Sequence, residues 1–281
     1  MTSRTALMAA AARAAHLIVD EAPHVFSDPL AVKLLGDQAE ELLQYHRVHG
    51  GHPVLAGARA QVVCRSRYAE DVLRASGHRQ YVVLGAGLDT FAYRADLGGA
   101  DAADSAGTAA PTVFEVDQPA TQESKRASLR KAGIEKRAIY VPVDFERDDL
   151  IERLVEHGFD VGQPAVVSWL GVTMYLTREA VEHTVGVLNG LADGSEVVFD
   201  HMLPAELRDA AAQAYVDAVG PVNAEHGEPW LTFLSPGDTR QLLAPMTVEH
   251  TTQQDVLGTR TDALQPSNVS VITRGTVRKR R

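Results

Sequence analysis

The chain has 281 residues, 45% of them hydrophobic and 23% charged, with a formal net charge of -10 and one cysteine, Cys64. That length and composition suit one large domain, or a domain with an added cap, and the acidic balance disfavours nucleic acid, whose phosphates are met by clustered Lys and Arg. A lone cysteine excludes an internal disulfide or a cysteine-based zinc site, no apolar run reaches the roughly 20 residues of a membrane span, and Arg4, Arg13 and His16 interrupt any leader core, so a cytoplasmic protein without membrane partners is expected.

In chain order, the Ala-rich stretch 5–19 predicts a helix, punctuated at its end by Asp20, Pro23 and Asp28-Pro29. A second helix is expected over 53–75, with Val62, Val63, Val72 and Leu73 on its apolar side. The first strand is expected over 80–84, where an apolar run ends in Gly85-Ala86-Gly87, and the second over 113–116. Between them, the small, Gly- and Asp-rich stretch 98–111 reads as a flexible surface loop. Helices over 121–132, 149–157 and 178–191 then alternate with strands over 138–143, 165–169 and 196–200, which predicts an α/β fold with a largely parallel sheet. A helix over 204–219 follows; Pro221, Gly227, Pro229, Pro236 and Gly237 interrupt the pattern before late strands around Val248 and over 270–273. Residues 1–76 read as a helical N-terminal cap of the same domain and 77–281 as the core, with a lid-like insertion around 204–240.

Ligands of open parallel sheets bind beyond the carboxyl ends of the strands, so the residues after each strand are the candidates. Gly85 and Gly87 allow a tight turn and close approach of a ligand to the backbone, and Asp89 and Thr90 follow at the start of the next helix. A full dinucleotide fingerprint would place Gly or Ala at position 90; Thr90 disfavours a nicotinamide oxidoreductase. Glu115, expected to close the second strand, can accept both hydroxyls of a ribose. Asp117 lies two residues later on the same face, and Asp144 can accept from an adenine amino group while Phe145 contacts the ring. Each carboxylate could equally cap a helix or face water, but three at successive strand ends favour a nucleoside site.

These motifs resemble those of the leucine carboxyl methyltransferase family, in its bacterial branch of S-adenosylmethionine-dependent O-methyltransferases of the tetracenomycin carboxyl methyltransferase type. The resemblance runs from Thr5-Ala6-Leu7-Met8 through Phe26-Ser27-Asp28-Pro29-Leu30-Ala31, Arg65-Ser66-Arg67-Tyr68, Leu84-Gly85-Ala86-Gly87-Leu88-Asp89-Thr90 and Tyr93-Arg94. It continues through Phe114-Glu115-Val116-Asp117-Gln118-Pro119, Lys125, Val143-Asp144-Phe145 and Gly171-Val172-Thr173-Met174-Tyr175-Leu176, covering roughly the first two-thirds of the chain. It implies a class I methyltransferase fold, with a Rossmann-like, mostly parallel sheet flanked by helices and a helical N-terminal cap.

The resemblance further implies that Arg65 pairs with the methionine carboxylate of the cofactor, that Gly85 and Gly87 line it, and that Glu115 holds its ribose and Asp144 its adenine. Ala86, Asp89, Val116, Phe145 and Leu170 complete the expected cofactor set, with no metal. Leu170 marks a departure, since relatives often carry Glu before the glycine of this segment. Around the substrate, Tyr175, His201 and Arg13 are the candidate polar groups, the first two for catalysis, and Met174, Trp169, Met202, Trp230 and Phe233 are candidate apolar walls. His201 and the two late aromatics read equally well as structural residues, and the basic end Arg278-Lys279-Arg280-Arg281 as a solvated tail. The expected reaction is conversion of a small-molecule carboxylic acid of secondary metabolism to its methyl ester. The alternatives are methylation of a phenol or hydroxyl, or use of bound S-adenosylmethionine for chemistry other than methyl transfer.

Overall fold

The computed structural model describes residues 3–94, 110–135, 137–145, 147–259 and 264–279. Most of the loop expected over 98–111 therefore lies outside the described residues, as do Arg280 and Arg281 of the basic end.

Four helices precede the sheet: α1 (Arg4–Val19), α2 (Ala31–Leu34), α3 (Ala39–His49) and α4 (Pro53–Ser76). Helix α1 starts where Ser3 Oγ accepts the Ala6 N–H, and its small residues Ala10, Ala11, Ala14 and Ala15 are buried. Pro53 begins α4, where its missing N–H costs nothing, and Gly77 ends it in the left-handed conformation. Helices α1 and α4 pack on each other.

The sheet is built from β1 (Gln80–Leu84), β2 (Thr112–Asp117), β3 (Ile139–Pro142), β4 (Val166–Trp169), β5 (Glu196–Met202), β6 (Thr247–Thr251) and β7 (Ser270–Thr276). Their order is β3-β2-β1-β4-β5-β7-β6; β1 to β5 run parallel, and β7 is antiparallel to both neighbours. Strands β1 and β4 are buried throughout, as central parallel strands covered on both faces must be. Alternate residues feed two cores: Tyr81, Val83, Val113 and Val198 pack with the N-terminal helices, and Val82, Leu84, Phe114, Val116, Val197 and Phe199 pack on the opposite face. Glu115 and Asp200 follow the parity of the first face, and His201 that of the second.

The remaining helices are α5 (Phe91–Arg94), α6 (Pro119–Lys131), α7 (Leu150–Glu156), α8 (Arg178–Leu188), α9 (Ala210–Glu225), α10 (Pro236–Leu242) and α11 (Gln253–Leu257). Helix α9 departs from the expected 204–219. It starts after Asp209, whose side chain accepts the Ala212 N–H, and it continues through Pro221. Proline is tolerated because α9 lies on the surface, with Ala212 as its buried residue, and Asp217, whose carbonyl loses its helical donor, is itself exposed. No helix among the described residues is long and apolar enough to cross a membrane.

Candidate active site

The strand order reverses beside β1, which continues to β2 on one side and to β4 on the other, and the crevice at such a switch point is where these sheets bind ligands. The turn after β1 is held by its neighbour: Gly85 and Ala86 N–H both donate to the Val116 carbonyl, at 2.8 and 3.1 Å. Asp117 Oδ2 accepts the Gly87 N–H at 2.7 Å, and its Oδ1 accepts the Gln118 N–H at 2.7 Å. Gly85 has φ +65°, and a Cβ there would stand 2.4 Å from Val172 Cγ2, so the close passage of backbone and side chain demands glycine. A Cβ on Gly87 would lie 3.2 Å from Ala6 Cβ, which puts the first turn of α1 against the glycine turn. Asp89 accepts the Phe91 N–H at 2.8 Å and opens α5. Val116, expected to line the ligand, buries its side chain in the opposite core and contributes through its carbonyl.

Glu115 is not at the mouth of the crevice. Strand β2 continues to Asp117, and Glu115 Oε2 pairs with Lys125 Nζ of α6 at 2.6 Å, with both side chains only 1% exposed. Burial raises the Glu115 carboxyl to about 7, against the opposing pull of Lys125. The Lys125 ammonium also lies 5.6 Å from the Tyr93 ring centre, and the Tyr93 and Tyr140 hydroxyls are 2.5 Å apart. Glu115 is held beneath α6 in this pair, and the carboxylate that reaches the glycine turn is Asp117. The sequence carries the signal in Asp117-Gln118-Pro119, since the proline at the start of α6 marks the true end of the strand. After β3, Asp144 is 35% exposed, with Arg147 Nε 3.7 Å away, and Phe145 packs partly buried against the core.

Arg65, on α4, donates from Nη1 to Asp200 Oδ2 at 2.9 Å. Asp200 Oδ1 accepts the Gly171 N–H at 2.6 Å. Leu170 is half-buried and packs against the core under the N-terminal helices.

Two expected substrate groups are engaged elsewhere. Arg13 donates from Nε to Asp28 at 2.7 Å and from Nη2 to the Leu88 carbonyl at 2.7 Å, so it ties α1 to the glycine turn instead of facing a substrate. Asp28 in turn accepts the Ala31 N–H at 3.0 Å, starting α2. His201 is buried, with Nδ1 donating to the Leu234 carbonyl at 2.8 Å and Nε2 accepting from Thr273 Oγ1 at 2.9 Å. Burial lowers its pKa to about 4. With both nitrogens committed on the face away from Arg65, His201 is a structural fastening and not a base.

Trp169, an expected wall, is instead fully buried in the opposite core beside Phe199, while the remaining substrate candidates meet. Met174 and Met202 pack with Tyr175, Tyr215, Trp230 and Phe233. Residues 230–234 form a strap: Leu231 N–H donates to the Met174 carbonyl at 2.7 Å and Leu234 N–H to the Met202 carbonyl at 2.9 Å. Arg208 lies over the Phe233 ring, 4.7 Å from its centre, and Tyr215 stacks on Trp230. The Tyr175 hydroxyl sits among Trp230, Arg65, Glu228 and Thr5, and burial raises its pKa. Glu228 also receives Ser3 Oγ–H at 2.5 Å and the Thr5 N–H at 3.0 Å, fastening the first turn of α1 to the loop before the strap.

Sheet order, glycine turn and helical cap together define a class I methyltransferase. The leucine carboxyl methyltransferase family model matches residues 6–188, and the chain belongs to that family; methyl transfer is the activity that membership carries. Among similar proteins is YktD of Bacillus subtilis (strain 168), named provisionally as an S-adenosyl-L-methionine-dependent methyltransferase. It is 28% identical over 284 residues, covering 91% of this chain and 90% of the relative. A Mycolicibacterium paratuberculosis (strain ATCC BAA-968 / K-10) protein with the same provisional name is 31% identical over 79% of this chain and 72% of its own. A crystal structure from Thermobifida fusca YX, described provisionally as a methyltransferase, shares the fold with a TM-score of 0.59. It is 19% identical and covers 88% of this chain and 92% of that one.

Proposed function

We propose that the crevice binds S-adenosylmethionine and that the protein methylates a carboxylate oxygen of a small molecule, giving a methyl ester. The observation that carries this reading is the Asp117 carboxylate bonded to the Gly87 N–H at the switch point of the sheet. The donor set suits the cofactor. A carboxylate has about four acceptor positions, so Asp117 can take ribose hydroxyls besides its two backbone donors. Asp144, partly exposed after β3, is the acceptor assigned to the adenine amino group beside Phe145, and Arg65 supplies a cation for the amino-acid carboxylate.

When bound, S-adenosylmethionine supplies a methyl group on a sulfonium that is already a good leaving group. The protein's task is to hold the acceptor oxygen in line with it and to exclude water. Met174, Trp230 and Phe233 provide the apolar walls, and Tyr175, with its raised pKa, donates a hydrogen bond rather than taking a proton. A carboxylic acid of pKa about 4 arrives ionised at neutral pH and needs no base. The commitment of both His201 nitrogens favours such an acceptor over a phenol.

Calorimetric titration with S-adenosylmethionine, with NAD as control, tests the reading. Asp117→Ala is expected to lose binding, whereas the neutral pair Glu115→Gln with Lys125→Met, if folded, keeps it. Incubation with small carboxylic acids should then give products cleaved by mild base; a base-stable product would mark a phenol or alcohol acceptor. Binding of NAD instead, or binding indifferent to Asp117→Ala, would refute the assignment.

A further inference from the structure

We propose that Asp200 is a positioning residue that presents Arg65 to the carboxylate of the cofactor's amino-acid portion, an inference that rests on the S-adenosylmethionine reading above. Asp200 is fully buried on β5. Its two carboxylate oxygens divide between Arg65 Nη1 at 2.9 Å and the Gly171 N–H at 2.6 Å, and its carbonyl accepts Thr173 Oγ1–H at 2.8 Å. One residue thereby joins α4, the turn after β4 and the strand beside it.

The order of burial gives the direction of the device. The Asp200 side chain is 1% exposed and that of Arg65 11%, so the carboxylate stands behind the guanidinium. A guanidinium has five N–H donors, and pairing through Nη1 leaves others for a ligand. Gly171 supplies the remaining surface: a Cβ there would lie 2.4 Å from Arg65 Nη2 and 2.8 Å from Cζ, so the guanidinium rests flat against the glycine. Leu170, the neighbouring residue in sequence, is apolar and half-buried against the core; the orienting carboxylate comes from the adjacent strand instead. An Arg held by a charge-assisted bond on one side and a wall on the other meets its ligand preorganised, without the entropy cost of ordering a free side chain.

The test compares S-adenosylhomocysteine with 5′-methylthioadenosine, which lacks the amino-acid portion, by calorimetry on the full chain. Asp200→Asn keeps an acceptor for Gly171 and removes the charge that holds Arg65. The expected result is a loss of about tenfold or more in affinity for S-adenosylhomocysteine, the scale of one charge-assisted hydrogen bond, with methylthioadenosine unchanged. Arg65→Met should lose the same discrimination, and the double variant no more than Arg65→Met alone. If Asp200→Asn fails to fold, Asp200→Glu, one methylene longer, must still change the ratio of the two affinities. Unchanged discrimination in the folded variant, or equal weakening of both ligands, overturns the proposal. Wild-type protein that binds neither ligand overturns the cofactor reading itself, and this inference with it.

Discussion

Arg59 donates from Nε and Nη2 to the two carboxylate oxygens of Asp20, each at 2.8 Å, with both side chains fully buried. His16 Nδ1 donates to the same carboxylate at 2.8 Å while its Nε2 accepts the Val25 N–H at 3.1 Å, and Arg59 Nη2 also reaches the Gly50 carbonyl at 2.9 Å. This knot joins α1, α3 and α4 at the end of the cap. Asp20→Ala strands a buried guanidinium, and the expected cost is about 3–5 kcal/mol. A urea titration monitored by far-UV circular dichroism measures it; a loss below about 1 kcal/mol would show that the knot is not a determinant of stability.

Acid should weaken the fold through its buried imidazoles. His46 and His201 are both lowered from 6.5 to about 4, chiefly by burial. Each stays neutral in the folded protein while the unfolded chain takes up a proton below 6.5, so their stabilisation is complete above that pH and is lost as pH falls toward 4. Buried Glu115, raised to about 7, acts in the opposite sense, so the contribution of one group is best isolated by difference. The stability gap between wild type and His201→Gln should narrow between pH 7 and pH 4.5 by up to about 3 kcal/mol. A gap that does not change with pH would contradict it.

The glycine turn makes a steric prediction. Gly85→Ala places a Cβ at φ +65° and 2.4 Å from Val172 Cγ2. The backbone term is about 1–2 kcal/mol, and the clash adds to it. Combining it with Val172→Ala should recover the clash and leave the backbone term. Thermal midpoints of the single and double variants decide this; no recovery in the double variant would mean that the strain lies wholly in the main chain.

At the other end of α1, Glu228→Gln removes the charge from the acceptor of Ser3 Oγ–H and Thr5 N–H. The expected loss is about 1 kcal/mol, confined to the first turn. Amide exchange at Thr5 and Ala6 should accelerate while the global unfolding midpoint stays put. Equal acceleration along all of α1 would argue for a role in the whole helix.

The central strands were legible because each is a short apolar run ending in Gly or acid, and the alternation with helices identified a parallel sheet. Capping boxes at Ser235 and Thr252 start α10 and α11, but those helices have only 7 and 5 residues and leave little periodicity to read. The site residues failed where position within a strand decided the outcome. Glu115 and Asp117 share a face and differ by one pleat, enough to put one under α6 and the other at the glycine turn. Asp200 and His201 are neighbours on a strand buried on both sides, so composition could not tell which one faced Arg65. The role of Arg13 depends on Asp28 and on Leu88, a carbonyl 75 residues away, and such long-range partners leave no local pattern.

The aromatic cluster also gives the protein an optical reporter of its own. The chain has two tryptophans. Trp169 is fully buried in the core beside Phe199, whereas Trp230 stands in the strap next to Tyr175. Emission from Trp169 should follow global unfolding, and emission from Trp230 the packing of the strap, and with it entry of the ligand proposed above. With Trp230→Phe as the blank, intrinsic fluorescence can follow ligand entry without a label and separate it from unfolding in the same cuvette.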